Sequence, residues 1–331
     1  MVSATAQATA SGVAPETISR RISRFFHRSE TARAYALLAP NIIMLLALLM
    51  IPFVSMVALS FWTQVNFDYD RTFTLNNYAK IFALGWNDGV EFFGLVISWP
   101  FENAIYTLLL ARSVVVSLMV TGMVILFAYP MAYFLAFRVQ RHKIFWLIAI
   151  SIPFWTSYLL RIFAWKVILG FNGVVNSALL YVGLIDEPLS FILYNTTSVV
   201  ITLTHAWVTF AVLPIYVSLE KMDKSLLEAA TDLGDTAVQR FFRVTLPLSA
   251  PGTVAAALLV FIPTVGEYVT PNVVGGTSGI LVGNYIQSLF GKSNDWPLGS
   301  ALSIVMMLTV SILVGLFLWA IGYRQMRQRM A

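Results

Sequence analysis

The chain has 331 residues, of which 58% are hydrophobic and only 11% are charged, and its formal net charge is +5. Water-soluble domains carry about 25% charged residues, so the composition excludes the soluble class and indicates a protein that crosses a membrane several times. The sequence contains no cysteine, which excludes disulfides and thiolate metal sites. The basic residues cluster beside apolar segments, which indicates membrane topology and argues against a nucleic-acid partner.

The first predicted element is an N-terminal arm over residues 1–33. It is rich in Ala, Ser and Thr and then in Arg, and we expect its opening residues to be disordered. The apolar residues between the arginines predict an amphipathic helix at the membrane surface; they are Ile18, Ile22, Phe25 and Phe26. The arm lacks an apolar core followed by a small-residue cleavage site, so we do not predict a cleaved signal peptide.

Six intervals after the arm are long and apolar enough to cross a bilayer, which requires about 20 mainly apolar residues. They lie in one membrane domain over residues 34–331. The predicted spans are residues 35–62, 112–137, 144–169, 197–219, 249–271 and 299–323. Prolines interrupt several of these spans, and membrane helices tolerate them where neighbouring groups satisfy the freed carbonyls.

The apolar interval 92–111 raises the possibility of a seventh span, but Pro100, Glu102 and Asn103 interrupt it. A seventh span would also place the arginine-rich arm and the loop 138–143 on opposite sides of the membrane. With six spans, most of the 21 basic residues lie on one side, which is then the cytoplasm. We therefore predict that both termini are cytoplasmic and that residues 92–111 form an external helix leading into the second span.

The external loops, roughly residues 63–111, 170–196 and 272–298, carry more acids than bases. Two explanations stay open. The first is that Lys and Arg concentrate in the cytoplasmic loops of membrane proteins, so that the external loops keep their acids but have few bases. The second is a mouth that attracts cationic solutes or a basic partner surface.

A polar, charge-dense interval separates the fourth span from the fifth. Ser225 and Glu228 have the spacing of a capping box at a helix start. Gly234 can take the left-handed backbone conformation that ends a helix. Asp235 can cap a second helix that stops near Pro247. The sequence thus predicts a short helix, a glycine turn and another short helix.

The same interval resembles the signature loop of the membrane subunits of ABC importers, with E-A-A, three residues, G and then F-x-x-V-x-L-P. In that family the loop docks on the ATPase subunit, so the resemblance implies a coupling loop over residues 220–247. The residues expected to couple to the ATPase are Glu228, Ala229, Ala230, Asp232, Gly234, Phe241 and Pro247, with Val244 and Leu246 completing the motif. An ordinary interfacial hairpin joining two spans is the alternative.

Further strings extend the resemblance to about residues 35–325. They lie at residues 128–133, 153–165, 173–176, 183–186, 266–276 and 295–297. Together they look like the first-type permease subunit of spermidine/putrescine ABC importers. Asn272 departs from the pattern, because relatives of the putrescine type tend to have an acid there. Relatives that serve opines and other organic amines share the framework, so another organic amine is the alternative solute.

The resemblance implies an all-α membrane protein with the type I ABC importer permease fold, in the bacterial cytoplasmic (inner) membrane. The implied partners are a second, homologous permease subunit, two ATPase subunits, an external solute-binding protein and membrane lipid. ATP and Mg would bind the ATPase, because no glycine-rich stretch of this chain has the lysine and context of a phosphate-binding loop. We therefore expect a transport subunit with no catalytic residues and no cofactor of its own.

Glu267 is the only acid inside a predicted span, and such a charge usually faces a bundle interior or a water-filled cavity. Two interpretations stay open. In the first, Glu267 lines the solute path and attracts an ammonium group, with Tyr268, Trp155 and Tyr158 as aromatic faces for the cation. In the second, Glu267 pairs with Arg161 and only fixes helix packing.

Other polar residues within the spans carry less information. Lys166 lies near a span end and can extend its amine to the membrane surface. His205 is interpreted as a hydrogen-bonded packing residue, and with no second His nearby we predict no metal site.

Two other classes of membrane protein are the alternatives to an importer. A membrane enzyme would need clustered acids or Ser–His pairs, and a passive channel would need no ATPase. Co-purification of an ATPase subunit would separate both from an importer.

Overall fold

The computed structural model describes residues 30–66, 68–82, 90–92, 95–97, 105–192 and 194–330. The predicted arm, including its amphipathic helix at residues 18–26, lies outside the described residues except at 30–33. The helices are α1 (Glu30–Ser60), α2 (Asn76–Ile81), α3 (Ile105–Tyr133), α4 (Lys143–Trp155), α5 (Tyr158–Leu169), α6 (Val174–Val182), α7 (Thr196–Glu220), α8 (Lys224–Asp232), α9 (Ala237–Arg240), α10 (Leu246–Val265), α11 (Val282–Gly291) and α12 (Trp296–Met330).

Two short hairpins and three π-helical turns complete the described structure. Strands β1 (Thr63–Val65) and β2 (Asp68–Asp70) pair antiparallel, as do β3 (Val90–Phe92) and β4 (Leu95–Ile97). The π-helical turns are Phe134–Arg138, Phe241–Thr245 and Pro271–Gly275. The first follows α3 directly, the second leads into α10, and the third lies shortly after α10.

Within the described residues, six helical segments are long and apolar enough to cross a membrane. They are Leu37–Ser60, Ile105–Arg138, Tyr158–Val182, Thr196–Glu220, Ala237–Val265 and Trp296–Gly322. The predicted all-α class with six membrane helices is confirmed. The second helix begins before the predicted start at residue 112, and the Arg112 guanidinium donates to Thr196 Oγ1 at 2.8 Å. Arg112 therefore lies within this helix and not at its first residue.

The prediction of an external helix over residues 92–111 is wrong in its first part, at residue 92 and residues 95–97. Residues 90–92 and 95–97 form an antiparallel hairpin, with Val90 opposite Ile97. The later part of the interval, from Ile105 onward, is the first part of α3. Both strands are rich in valine, isoleucine and phenylalanine, which favour strands over helices. The interval is apolar, and an apolar composition alone does not distinguish a strand from a helix.

The predicted third span, residues 144–169, is not one helix. It is divided into α4 and α5 by Thr156 and Ser157, whose backbone is extended, with ψ angles of 149° and 134°. Pro153 lies in the last turn of α4, and the Thr156 hydroxyl donates to the Pro153 carbonyl at 2.7 Å. The extended backbone of these two residues ends the helix, and the Thr156 side chain satisfies one of its terminal carbonyls.

The core of residues 57–331 is formed by α3, α7 and α10. Val116, Val120 and Val124 repeat every fourth residue on α3 and are fully buried against these neighbours. Gly252 of α10 lies against α7 so closely that a Cβ there would be 2.4 Å from the Pro214 carbonyl oxygen. Close contact through a small residue is typical of membrane helix pairs, and it gives the coupling loop between α7 and α10 two fixed ends.

Candidate functional site

The coupling loop begins with α8, whose first turn is capped by Asp223. The Asp223 carboxylate accepts the Ser225 backbone N–H at 3.0 Å, and this hydrogen bond lowers the pKa of Asp223 below its ordinary value. The predicted capping box of Ser225 and Glu228 is therefore wrong, because the helix starts earlier. An aspartate at this position also interacts favourably with the positive end of the helix dipole.

Gly234 ends α8 in the left-handed conformation that the sequence predicts, with φ of 91°. The Asp235 N–H donates to the Ala230 carbonyl at 3.0 Å, and the Gly234 N–H donates to the Thr231 carbonyl at 2.9 Å. These two bonds, six-to-one and five-to-two, are those of a Schellman motif. The turn therefore has a fixed shape, with its free carbonyls satisfied.

The second short helix, α9, begins differently from the prediction. Thr236 is its N-cap, and Thr236 and Gln239 exchange side-chain and backbone hydrogen bonds as a capping box. Asp235, predicted as the cap, forms an ion pair with Arg243 at 2.8 Å instead. The helix also does not stop at Pro247.

The helical backbone continues from α9 into α10 through the π-helical turn Phe241–Thr245. The Leu246 N–H donates to the Phe241 carbonyl, five residues earlier. Pro247 has no N–H to donate, and a π-helical turn accommodates such an irregularity without ending a helix. The coupling loop is therefore continuous with the fifth membrane helix.

The residues expected to couple to the ATPase divide into an outward and an inward group. Those with exposed side chains or backbone are Glu228, Ala229, Asp232, Gly234 and Pro247. Four exposed large apolar residues accompany them: Leu226, Leu233, Val238 and Phe242. Ala230 is buried, at 7% exposure, and Phe241 is half-buried. The loop therefore has an outer surface available to a partner and an inner surface that packs on the bundle.

Phe241 is the main inward contact of the loop. Its ring meets Tyr129 edge-on, with centroids 5.5 Å apart, and Tyr133 at 6.2 Å, both on α3. The Tyr129 hydroxyl in turn hydrogen-bonds Ser249 of α10 at 2.7 Å. Aromatic contacts of this geometry stabilise packing beyond simple burial. The loop is therefore connected to both α3 and α10 through Phe241 and Tyr129.

A surface ion pair joins two other helix ends near this loop. Lys143, the first residue of α4, contacts Glu220, the last residue of α7, at 2.7 Å. The hydrogen bond that Lys143 Nζ donates to Glu220 Oε1 raises the pKa of Lys143 above its ordinary value. Both side chains are partly exposed, and such pairs contribute little stability.

A second polar cluster, the polar junction, consists of Glu267, Tyr158 and Thr270. Glu267 Oε1 accepts the backbone N–H groups of Val269 at 2.8 Å and Thr270 at 3.1 Å, so it caps the helical turn after α10. Glu267 Oε2 accepts the Tyr158 hydroxyl at 2.8 Å, and that hydroxyl also contacts Thr270 Oγ1 at 2.9 Å. The carboxylate is thus fixed by hydrogen bonds from two parts of the chain.

Within the described residues, Arg161 forms no ion pair with Glu267, so the structure does not contain the pairing named in the second interpretation. Its guanidinium lies 5.8 Å from the centroid of the Tyr158 ring, and its Nη1 donates to the Ala206 carbonyl at 3.3 Å. Tyr158 stands between the two charges. It stacks near the cation and donates its hydroxyl to the anion.

The model for the family described as "Binding-protein-dependent transport system inner membrane component" matches residues 92–330. The chain belongs to this family. It is therefore a transport subunit and not an enzyme, and it is a multi-pass protein of the bacterial inner membrane. Within its described residues, no group of three His, Asp or Glu side chains is placed to hold a metal ion.

The permease is similar in sequence to named relatives over most of its length. It is 36% identical over 269 residues to the spermidine/putrescine transport system permease protein PotB of Salmonella typhimurium, covering 81% of this chain and 85% of the relative. The PotB protein of Escherichia coli is 34% identical over 269 residues, covering 81% and 89%. The Escherichia coli inner membrane ABC transporter permease protein YdcU is 32% identical over 225 residues, covering 64% and 71%.

A solved structure with the same fold is a bacterial ABC transporter involved in the import of the acidic polysaccharide alginate. Its matching chain superimposes with a TM-score of 0.61 at 18% identity, covering 92% of this permease and 99% of that chain. The predicted type I importer permease fold is thereby confirmed. A second structure of an alginate transporter is in complex with a periplasmic protein bound to an alginate pentasaccharide.

The remaining predicted path residues of the permease lie apart from the polar junction. Trp155, at the end of α4, is 84% exposed. The Tyr268 side chain lines an open cleft of about 470 Å³ with Gln287, Phe290 and Met306. His205 packs edge-on against Trp165, with ring centroids 5.4 Å apart. Thr270, whose hydroxyl contacts that of Tyr158, is not among the residues that the sequence predicted for the path.

Proposed function

We propose that this permease is the membrane subunit of an ATP-driven importer that moves polyamines, putrescine or spermidine, into the cytoplasm. The observation that carries the proposal is the similarity to PotB permeases, at 34–36% identity over at least 81% of this chain. The cationic solute agrees with the acid-rich external loops and with Glu267, the acid at the polar junction.

The proposed mechanism transmits motion through the coupling loop. ATPase subunits dock on its outer surface, around Glu228, Ala229 and Asp232, which are exposed. Closure of the ATPases displaces α8, and the Schellman turn at Gly234 passes the displacement to α9 without bending. Phe241 then moves α3 and α10 together, which changes the bundle from inward-open to outward-open as a rigid-body rearrangement.

This proposal includes an orientation and a set of partners. The coupling loop and both termini face the cytoplasm, and residues 1–33 are a cytoplasmic arm; the concentration of basic residues on that side supports both statements. A second, homologous permease subunit completes the path, two ATPase subunits supply ATP and Mg, and an external binding protein delivers the solute. The periplasmic protein bound to a related transporter supports the last of these.

The proposed solute path runs along the polar junction. Glu267 attracts the ammonium groups of the solute, and its partial exposure makes the carboxylate reachable. Tyr158 and Arg161 position the carboxylate and its surroundings, whereas Tyr268 and Trp155 offer exposed aromatic faces for a cation farther along. The positions of these residues at helix ends are typical of transporter sites.

Transport assays test the function directly. The complete complex, reconstituted in vesicles with its own binding protein, should take up labelled putrescine or spermidine only when ATP is present inside. An opine or an amino-acid derivative should not compete with polyamine uptake. ATP-dependent uptake of such an amine without any polyamine uptake would replace the proposed solute, and absence of ATP-dependent uptake would reject the importer role.

A further inference from the structure

Two interruptions of membrane helices are joined by a hydrogen bond in this permease. The first lies between α4 and α5, and Tyr158 is the first residue after it. The second lies after α10, and Glu267 is the residue that caps the turn following it. Element ends of this kind are where hinges form, because they absorb changes in backbone angle. A bond between two such ends controls whether the two helices can move apart.

The two oxygens of the Glu267 carboxylate have separate roles. Oε1 accepts two backbone N–H groups, at 2.8 and 3.1 Å, and these bonds hold the local turn. Oε2 accepts the Tyr158 hydroxyl at 2.8 Å, and this bond connects residues 109 positions apart. A tyrosine has a single hydroxyl proton, so the 2.9 Å contact with Thr270 Oγ1 is donated by Thr270. The bond from Tyr158 to Oε2 can therefore break while the turn remains capped.

The Tyr158 ring is held independently of its hydroxyl group. It packs against the buried core of α3, α7 and α10, and the Arg161 guanidinium lies 5.8 Å from its centroid. Arg161 is itself tied to α7 through the Ala206 carbonyl. Replacing Tyr158 by phenylalanine therefore removes the bond to Glu267 and leaves the ring contacts in place.

We propose that the Tyr158–Glu267 hydrogen bond is a latch between α5 and the end of α10, and that an ammonium group of the solute opens it by taking Glu267 Oε2. The second half of this inference depends on the proposed amine solute. The phenol and an ammonium both donate to an ionised acceptor, but only the ammonium adds the attraction between opposite charges, so an ammonium outcompetes the phenol. Oε1 continues to cap its turn throughout.

The latch gives the solute a means of biasing the transporter. A ligand shifts a conformational equilibrium only as far as its affinities for the two states differ. With the latch closed, Oε2 is occupied by Tyr158, and with the latch open it is available. An ammonium therefore binds the open state more tightly, so its arrival favours movement of α5 relative to α10.

The first test is Tyr158→Phe in the complete complex, reconstituted in vesicles. Without solute, ATP hydrolysis should rise by roughly tenfold, because a lost hydrogen bond to a charged group shifts an equilibrium by at least that factor. Tyr181→Phe is the matched control, since Tyr181 is 93% exposed, and it should leave hydrolysis unchanged. Thermal stability equal to that of the wild type should show that both variants assemble. Wild-type hydrolysis in an assembled Tyr158→Phe complex would overturn the latch.

The second test is Glu267→Gln, which separates the latch from the solute. The glutamine oxygen can still cap the turn, and its amide can donate to the Tyr158 oxygen, so the variant keeps a bond between the two helix ends while it lacks the negative charge. Polyamine uptake should fall at least roughly tenfold, because the charge that attracts the ammonium is gone. Unchanged uptake in this variant would overturn the opening step, while the Tyr158→Phe result would still report on the latch. Failure of the polyamine assignment alone would show as ATP-dependent uptake of a different solute by the wild type.

Discussion

The coupling loop and the polar junction both depend on capped helix ends. They differ in how far apart in the sequence the residues lie whose side chains hydrogen-bond at those ends. In the loop, Thr236 and Gln239 are three positions apart, and the Arg240 and Thr231 side chains, which hydrogen-bond, are nine apart. In the junction, Tyr158 and Glu267 are 109 positions apart. The loop is therefore a locally determined lever, whereas the junction exists only when α5 and α10 are packed together. Changes in the loop should alter transmission, and changes in the junction should alter which state the bundle adopts.

The largest effect on the loop should come from Phe241→Ala. This change removes the half-buried ring that contacts Tyr129 and Tyr133, and it should cost about 2–4 kcal/mol, somewhat less than for a fully buried phenylalanine. Phe242→Ala is the control, because Phe242 is 61% exposed. Thermal unfolding of the purified complex should show a clear decrease for the first variant and a small one for the second. Equal decreases would mean that the inward contact does not hold the loop.

The next effect should come from Gly234→Val. A branched side chain resists the left-handed backbone at this position and should cost about 1–2 kcal/mol or more. The structure leaves open space around a Cβ at Gly234, so the defect is conformational rather than steric. Stimulation of ATP hydrolysis by the loaded binding protein should decrease. Gly234→Asn, which tolerates the same backbone, should restore most of it. Normal stimulation in the valine variant would contradict the role of a stiff turn.

The smallest effect should come from the α8 cap, Asp223. Its pKa is lowered in the folded loop from an ordinary value of 3.8, so the stabilisation is complete above that value and is lost as the pH falls through the lowered pKa. Hydrogen exchange of the α8 amides should therefore quicken only in that acidic range. Asp223→Asn caps without titrating and should remove the pH dependence. A change near neutral pH would assign the effect to another group.

The sequence predicted the parts of the structure that depend on neighbouring residues. The length of the apolar intervals predicted the number of membrane helices but not the bounds of the third, and Gly234 predicted the turn between two short helices. The capping residues were misassigned by one or two positions, because Asp223, Ser225, Asp235 and Thr236 are all acceptable N-caps. The position at which the chain leaves the preceding segment decides which of these residues becomes the cap, and packing determines that position.

The sequence could not predict the polar junction. Glu267 was recognisable as an unusual acid, but its partner depended on the break between α4 and α5, which places Tyr158 at a helix start. Pro153 indicated only a tolerated irregularity, since prolines elsewhere, such as Pro214, lie inside unbroken helices. Opposite charges suggested Arg161 as the partner of Glu267. In the structure a neutral hydroxyl fills that place, because the guanidinium is turned toward a carbonyl of α7.

Cross-linking to the ATPase tests the central claim that force enters through the coupling loop. The chain has no native cysteine, so Ser225→Cys on α8 and Ser293→Cys between α11 and α12 each introduce a single thiol at an exposed serine. In the complete complex, a short cross-linker should join the ATPase subunit to the thiol at position 225 and not to the one at position 293. A cross-link at position 293 alone would place the motor at the opposite end of the bundle and contradict the account.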